Sequence, residues 1–155
     1  MSDSFSSRKS ENAAAKKSEI LIVEDEIDLR KLLRRVFEKS GYEVLEAENG
    51  KVALDFVMEE EHQFDVILSD VRMPVMDGLN LLLSLRPKST VPFIFMTGYS
   101  RLLDEKLALK LGANAFIYKP FRTDQILTIV KSWIGKRSPP ISIGPSPSPT
   151  NERFS

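Results

Sequence analysis

Between residues 19 and 136 short apolar runs alternate strictly with segments of helical period, five times over. "EILIVE" (19–24) is too short for a helix of its own and rich in β-branched residues. Residues 27–39 follow, with Leu29, Leu32, Leu33, Val36 and Phe37 at helical spacing, and Gly41 stops that helix. "YEVLEA" (42–47) alternates in the manner of a half-buried strand at a sheet edge. Asn49 is placed to cap a second helix with Val52, Ala53, Phe56 and Val57 on its inner face. "FDVILSD" (64–70) is a fully apolar strand, 78–86 a third helix, "VPFIFMT" (91–97) a fourth strand and 101–112 a helix ended by Gly112. "NAFIYKP" (114–120) makes a fifth strand, and 122–135 a last helix facing inward with Ile126, Leu127, Ile129, Val130 and Trp133. Strict alternation predicts an α/β fold: a parallel sheet with helices on both faces. Five units suit an open doubly wound sheet, since a barrel needs about eight.

The 155 residues suffice for one domain of ordinary size, here 19–136. The flanks are expected to be disordered tails. Residues 1–18 hold almost nothing large and apolar, and 137–155 are rich in Pro and Ser. Basic and acidic residues balance at 22 each over the whole chain, yet residues 19–135 carry 19 acidic against 15 basic. That is not the clustered basic face of a nucleic-acid binder. The absence of cysteine excludes disulfides and thiolate metal sites. No apolar stretch approaches the roughly 18 residues a membrane span needs. The N-terminus has no apolar core of a secretory signal, so a soluble, cytoplasmic protein is expected.

In open parallel sheets ligands bind beyond the carboxyl ends of the strands. The first strand ends in Glu24 and Asp25, the third in Asp70, the fourth in Thr97 and the fifth in Lys119. Three carboxylates, a hydroxyl and an ammonium thus converge on one edge. Each alone is an ordinary polar strand end. Together they are harder to dismiss, because crowded carboxylates raise each other's pKa unless a cation joins them. A hard divalent ion such as Mg²⁺ takes carboxylates, backbone carbonyls and water, and completes its shell with phosphate oxygens. Thr97 and Lys119 have no use around the ion itself. They suit the anionic oxygens of a phosphoryl group, for which Asp70 is the candidate nucleophile.

The motifs "LIVEDE" (21–26), "DVRMPVMDG" (70–78), "MTG" (96–98) and "YKPF" (118–121) lie at successive strand ends. With them the chain resembles the receiver domain of bacterial two-component response regulators, over about residues 19–136 and most closely the single-domain, chemotaxis-type members. The resemblance implies a flavodoxin-like sheet of strand order 2-1-3-4-5. It implies that Asp70 accepts a phosphoryl group from a histidine kinase or histidine phosphotransfer protein. Asp25, Asp70 and the backbone carbonyl of Arg72 would ligate Mg²⁺, with Glu24 acting through coordinated water. Lys119 would pair with phosphoryl oxygens, and Thr97 would move toward them while the switch aromatic, Phe116, swings inward. Many relatives carry Tyr at that switch position, so this chain lacks a hydroxyl there. The fifth strand and its flanking helices would form the face that binds a downstream protein. The Lys119–Pro120 bond is expected to be cis, and Pro74 and Gly78 to shape the loop after Asp70. The implied protein is a phosphoacceptor switch rather than a turnover enzyme, a monomer or a phosphorylation-linked dimer. It would act without nucleic acid or membrane, and no DNA-binding output domain is expected.

Two other readings compete. A phosphatase of the haloacid dehalogenase type also uses Asp, Mg²⁺, Thr or Ser and Lys. It places the nucleophile on the first strand as D-x-D and usually adds a cap domain, whereas here that strand gives "EDE". A phosphate-independent adaptor would have no need of the set Glu24, Asp25, Asp70, Thr97 and Lys119. His62, in "EEEHQF", reads as a surface residue and Glu59–Glu61 as a solvated helix end, while Trp133 reads as core. Ile27 is either an exposed apolar residue or a contact for the histidine donor.

Arg72 and Tyr99 each stand two residues past a site residue, where both would overhang the phosphoryl group and stack. The expected outcome is slow autodephosphorylation. Decay of the aspartyl phosphate in Arg72→Ala/Tyr99→Ala checks this: faster decay supports shielding, and equal decay removes it.

Overall fold

A computed structural model describes residues 16–98 and 103–136. Five strands form one parallel sheet in the order β2-β1-β3-β4-β5. They are β1 (Glu19–Val23), β2 (Glu43–Ala47), β3 (Val66–Asp70), β4 (Phe93–Thr97) and β5 (Ala115–Tyr118). Each is followed by a helix: α1 (Ile27–Lys39), α2 (Gly50–Met58), α3 (Gly78–Leu85), α4 (Glu105–Lys110) and α5 (Thr123–Trp133). The alternating-pattern strand, β2, is an edge strand as its sequence suggests.

Successive strand residues point to opposite faces, and this divides the core in two. Leu21, Val23, Ile67, Phe93, Phe95 and Phe116 pack with Ala53 of α2, Leu81 and Leu85 of α3 and Ala108 of α4. Ile20, Ile22, Leu68, Ile94, Met96 and Ile117 pack with Leu33 and Phe37 of α1 and Ile126 and Val130 of α5. The central strands are buried along both faces, which is why they read as unbroken apolar runs. Trp133 packs against the second of these cores, as expected.

Four expectations are corrected. The fourth helix begins at Glu105 rather than 101, because the Asp104 carboxylate accepts the Leu107 amide at 2.8 Å and so caps it there, with Leu103 buried just before. Leu32 is exposed, because α1 presents only a narrow stripe around Leu33 and Phe37 to the sheet. Ser18 belongs to the ordered domain, since its carbonyl accepts the Glu43 amide at 2.9 Å. His62 is not a free surface residue: its side chain is 19 % exposed, stacked on Phe64 and edge-on to Phe56. Its nitrogens approach Glu19 at 3.5 Å and Glu59 at 3.3 Å. That cluster closes the amino-terminal edge of the sheet, opposite the strand ends of interest. Lys16 and Lys17, just before Ser18, are exposed, and the remaining residues assigned to the two tails, 1–15 and 137–155, lie outside the described residues. Among the described residues no helix is long and apolar enough to cross a membrane.

Helix α1 is tied to the edge strand by charge. Glu46 of β2 accepts from Arg30 at 2.9 Å, Lys31 at 3.0 Å and Arg34 at 2.7 Å. Burial alone would raise the Glu46 carboxyl, but hydrogen bonds from Arg34, Lys31 and Arg30 outweigh it and bring the group from 4.5 to about 2. A carboxyl held lower in the folded than in the unfolded chain stabilises fully above the unfolded value. Glu46 should therefore stabilise the fold above about pH 4.5, and that contribution should vanish as pH falls toward 2. Denaturant unfolding of wild type and Glu46→Gln checks this. The variant should be about 2 kcal/mol less stable at neutral pH, once the exposed Lys31 and Arg34 are discounted, and the gap should close on acidification.

Candidate functional site

The parallel sheet delivers Glu24, Asp70, Thr97 and Lys119 to one edge because each stands at or just past the carboxyl end of its strand. The register sets their spacing. Val23 pairs with Ser69 and Asp70 with Met96, so Asp70 lies between the end of β1 and Thr97. Thr97 pairs with Tyr118, and the Lys119 amide donates to the Thr97 carbonyl at 2.7 Å, which carries the lysine onto the same edge.

The lysine ammonium sits between two carboxylates. Lys119 Nζ donates to Glu24 Oε1 and Asp70 Oδ2, each at 2.9 Å. Carboxylate oxygens of Glu24, Asp25 and Asp70 lie within 4.8 Å of one another. Glu24 is only 1 % exposed and Asp70 is also buried, while Asp25 faces solvent. Burial pushes the Glu24 carboxyl up from 4.5 to about 7; hydrogen bonds from Lys119 and the Glu26 amide oppose this, and the Asp70 charge adds to it. Burial alone would lower the Lys119 ammonium, but its bonds to Glu24 and Asp70 outweigh that and raise it. Among the described residues, these three acidic groups thus share one cation, Lys119. The donor set is all hard oxygen, in a partly desolvated pocket short of positive charge, and this fits Mg²⁺.

The backbone around Asp70 is fixed by close contacts. Asp70 Oδ1 accepts the Val71 amide at 2.7 Å, and the Ser69 hydroxyl donates to the Asp70 carbonyl at 2.8 Å. The Val71 carbonyl accepts the Gly78 amide at 2.8 Å, closing the loop that Pro74 and Gly78 were expected to shape. A Cβ on Gly78 would overlap the Asp70 carbonyl oxygen, so only glycine lets α3 start this close to the strand end. Asp77 caps α3 through the Asn80 amide at 2.8 Å. The loop is tied sideways as well, since the Gly50 amide donates to the Met76 carbonyl at 2.9 Å. Asn49, as expected, caps α2 through the Val52 amide at 3.0 Å. Val75, at the loop tip, has φ 68°. A β-branched residue in this region costs about 1–3 kcal/mol, and Val75 is 81 % exposed, so burial does not offset it.

The other expected residues fall as follows. Thr97 is buried at the end of β4. Phe116 is buried, tilted against Phe95 at 6.1 Å and edge-on to Tyr118 at 5.1 Å between ring centres. The Lys119–Pro120 peptide is cis, as expected. Arg72 is exposed and lines an open cleft with Asp25, Met73, Pro74 and Asp77. Tyr99, its expected stacking partner, lies outside the described residues. Ile27 is 57 % exposed beside the acidic loop.

Sequence reading missed Arg30 and Glu46. Arg30 donates from Nε to Glu46 at 2.9 Å and from Nη1 to the Glu24 backbone carbonyl at 2.7 Å. The one available signal was Glu46 itself, a carboxylate in a strand facing a helix with three nearby cations.

Residues 20–131 match the family model of the response regulator receiver domain. The transcriptional regulatory protein YxdJ of Bacillus subtilis is 37 % identical over 117 residues, covering 76 % of this chain and 50 % of that protein. The chain spans about half the length of the curated relatives it matches. Among solved structures, the signal receiver domain of a signal transduction histidine kinase from Syntrophus aciditrophicus has a TM-score of 0.69 at 34 % identity, covering 82 % of this chain and 98 % of that one. The response regulator TrrA of Thermotoga maritima, solved in complex with Mg(2+)-BeF, has a TM-score of 0.67 at 30 % identity, covering 76 % and 99 %. With the strand order and the acidic strand ends already in place, these matches show that the chain belongs to the response regulator receiver domain family.

Proposed function

We propose that this chain is a phosphorelay switch in which Asp70 accepts a phosphoryl group from the phosphohistidine of a kinase or phosphotransfer protein. Receiver domains bind Mg²⁺ at their acidic phosphorylation site and connect histidine kinases to downstream targets. The observation that carries the reading is Lys119 Nζ at 2.9 Å from the carboxylates of both Glu24 and Asp70, with Asp25 alongside. An oxygen of Asp70 attacks phosphorus, the P–N bond to imidazole breaks, and the imidazole leaves with a proton. Lys119 is then placed to pair with an oxygen of the aspartyl phosphate. Glu24, Asp25, Asp70 and the Arg72 carbonyl would hold Mg²⁺. When bound, the ion supplies positive charge against the phosphoryl oxygens and the crowded carboxylates. Thr97, beside Asp70, donates to the phosphoryl group, and Phe116 and the face of α4, β5 and α5 carry the change to a partner protein.

Incubation with acetyl phosphate and Mg²⁺ tests this. Intact-mass measurement should show a gain of about 80 Da, absent in Asp70→Ala and absent after chelation of the metal. Lys119→Met should slow acceptance by about 10²-fold. Continuous release of phosphate with rapid turnover would instead indicate a phosphatase, and no mass gain in the wild type would leave an adaptor.

A further inference from the structure

We infer that Arg30 is a positioning residue for the metal-binding carboxylates: it braces the peptide between Glu24 and Asp25 against Glu46 of the edge strand. The inference rests on the reading of the acidic strand ends as a Mg²⁺ site.

The β1–β2 ladder runs out at this point. Val23 pairs with Ala47, and the Glu24 amide makes a final bond to the Ala47 carbonyl at 3.0 Å. The Glu24 carbonyl lies past the last ladder pair, at the turn where the chain leaves the sheet. It accepts Arg30 Nη1 at 2.7 Å. The guanidinium is held in turn by Glu46 through Nε at 2.9 Å, and its side chain is only 12 % exposed. A planar fork that spans a carboxylate and a carbonyl fixes both ends of the link. The Glu24 carbonyl belongs to the same peptide as the Asp25 amide, so its orientation sets where the Asp25 side chain leaves the backbone. Glu24, Asp25 and Glu26 follow one another in this loop, and Asp70 adds a fourth acidic group nearby. Their mutual repulsion pushes the loop open. Arg30 opposes that from below, without entering the site: its charge sits on the backbone side, whereas Lys119 sits among the carboxylates. Outer partners of this kind typically change metal affinity by about 10–100-fold when removed.

Arg34 is an internal control. It also pairs with Glu46, at 2.7 Å, but its other bond goes to Glu38 on its own helix. Removing it loosens α1 on β2 and leaves the Arg30–Glu24 bond in place.

The experiment is calorimetric titration of the 155-residue chain with MgCl₂, for wild type, Arg30→Met, Arg30→Lys and Arg34→Met. Folding is matched by far-UV dichroism and denaturation midpoint. Amide NMR shifts of Asp25 and Glu26 are recorded without metal. Arg30→Met should weaken Mg²⁺ by about tenfold or more and move the two amides. The phosphorylation rate at saturating Mg²⁺ should stay near wild type. Arg34→Met should stay within about twofold of wild type. Arg30→Lys keeps a cation for Glu46 but cannot span to the carbonyl, so it should weaken Mg²⁺ at unchanged stability, which keeps the test valid if Arg30→Met folds poorly. Equal affinities for Arg30→Lys and wild type, or equal losses in Arg30→Met and Arg34→Met, overturn the inference while the Mg²⁺ reading stands. Failure of the wild type itself to bind Mg²⁺ overturns both.

Discussion

Everything at the carboxyl edge of the sheet answers to the repulsion among Glu24, Asp25 and Asp70. A parallel sheet brings all its strand ends to one side, so acidic residues there are forced together whatever their distance in sequence. Asp70 is separated from the acidic pair by more than a helix, a strand and a second helix, yet their oxygens lie within 4.8 Å. In water such a trio would spread apart. Here the flanking strands are locked by ladder bonds and buried on both faces, so the chain cannot relieve the repulsion by moving. What remains is charge compensation, from Lys119 within the cluster and from Arg30 behind it.

The packing around the loop from Asp70 to α3 serves the same end. Gly78 admits the helix against the strand, Gly50 admits the loop against α2, and Asp77 closes the helix start. The Gly50 contact matters because a Cβ there would lie 2.6 Å from the Met76 carbonyl oxygen. Rigidity on three sides lets the loop hold Val75 in an unfavourable backbone region at its tip. Charged groups that would drift in a mobile loop are thereby kept near fixed positions.

How far the sequence could be read follows from which interactions are local. β1, β3 and β4 are visible because burial on both faces leaves an unbroken apolar run, and the polar residues at or just past their carboxyl ends mark the site directly. Gly41 and Asn49 mark helix ends through backbone rules that act within a few residues. The start of α4 was misplaced because Arg101, Leu102 and Leu103 continue a helical pattern, while the Asp104 cap decides where it begins. Leu32 was misjudged because periodicity cannot tell how wide a stripe the sheet will cover. His62 and Arg30 were missed for a deeper reason. His62 stacks on Phe64 and meets Glu19 across the sheet edge, and Arg30 joins α1 to both β1 and β2. Such links exist only once the topology has folded, and a lone carboxylate such as Glu46 in a strand does not say which residues it will join.

Among the described residues, the strand order leaves two strands, β2 and β5, with one side unpaired. An open row of amides and carbonyls invites a foreign strand to zip onto it. On β2 the exposed Glu43 and Glu48 bracket the edge with negative charge, so a second copy approaching in register would meet its own repulsion. On β5 the strand is only four residues long and is soon followed by Pro120, which has no amide hydrogen to donate. The sheet therefore carries its own defence against self-association through its margins.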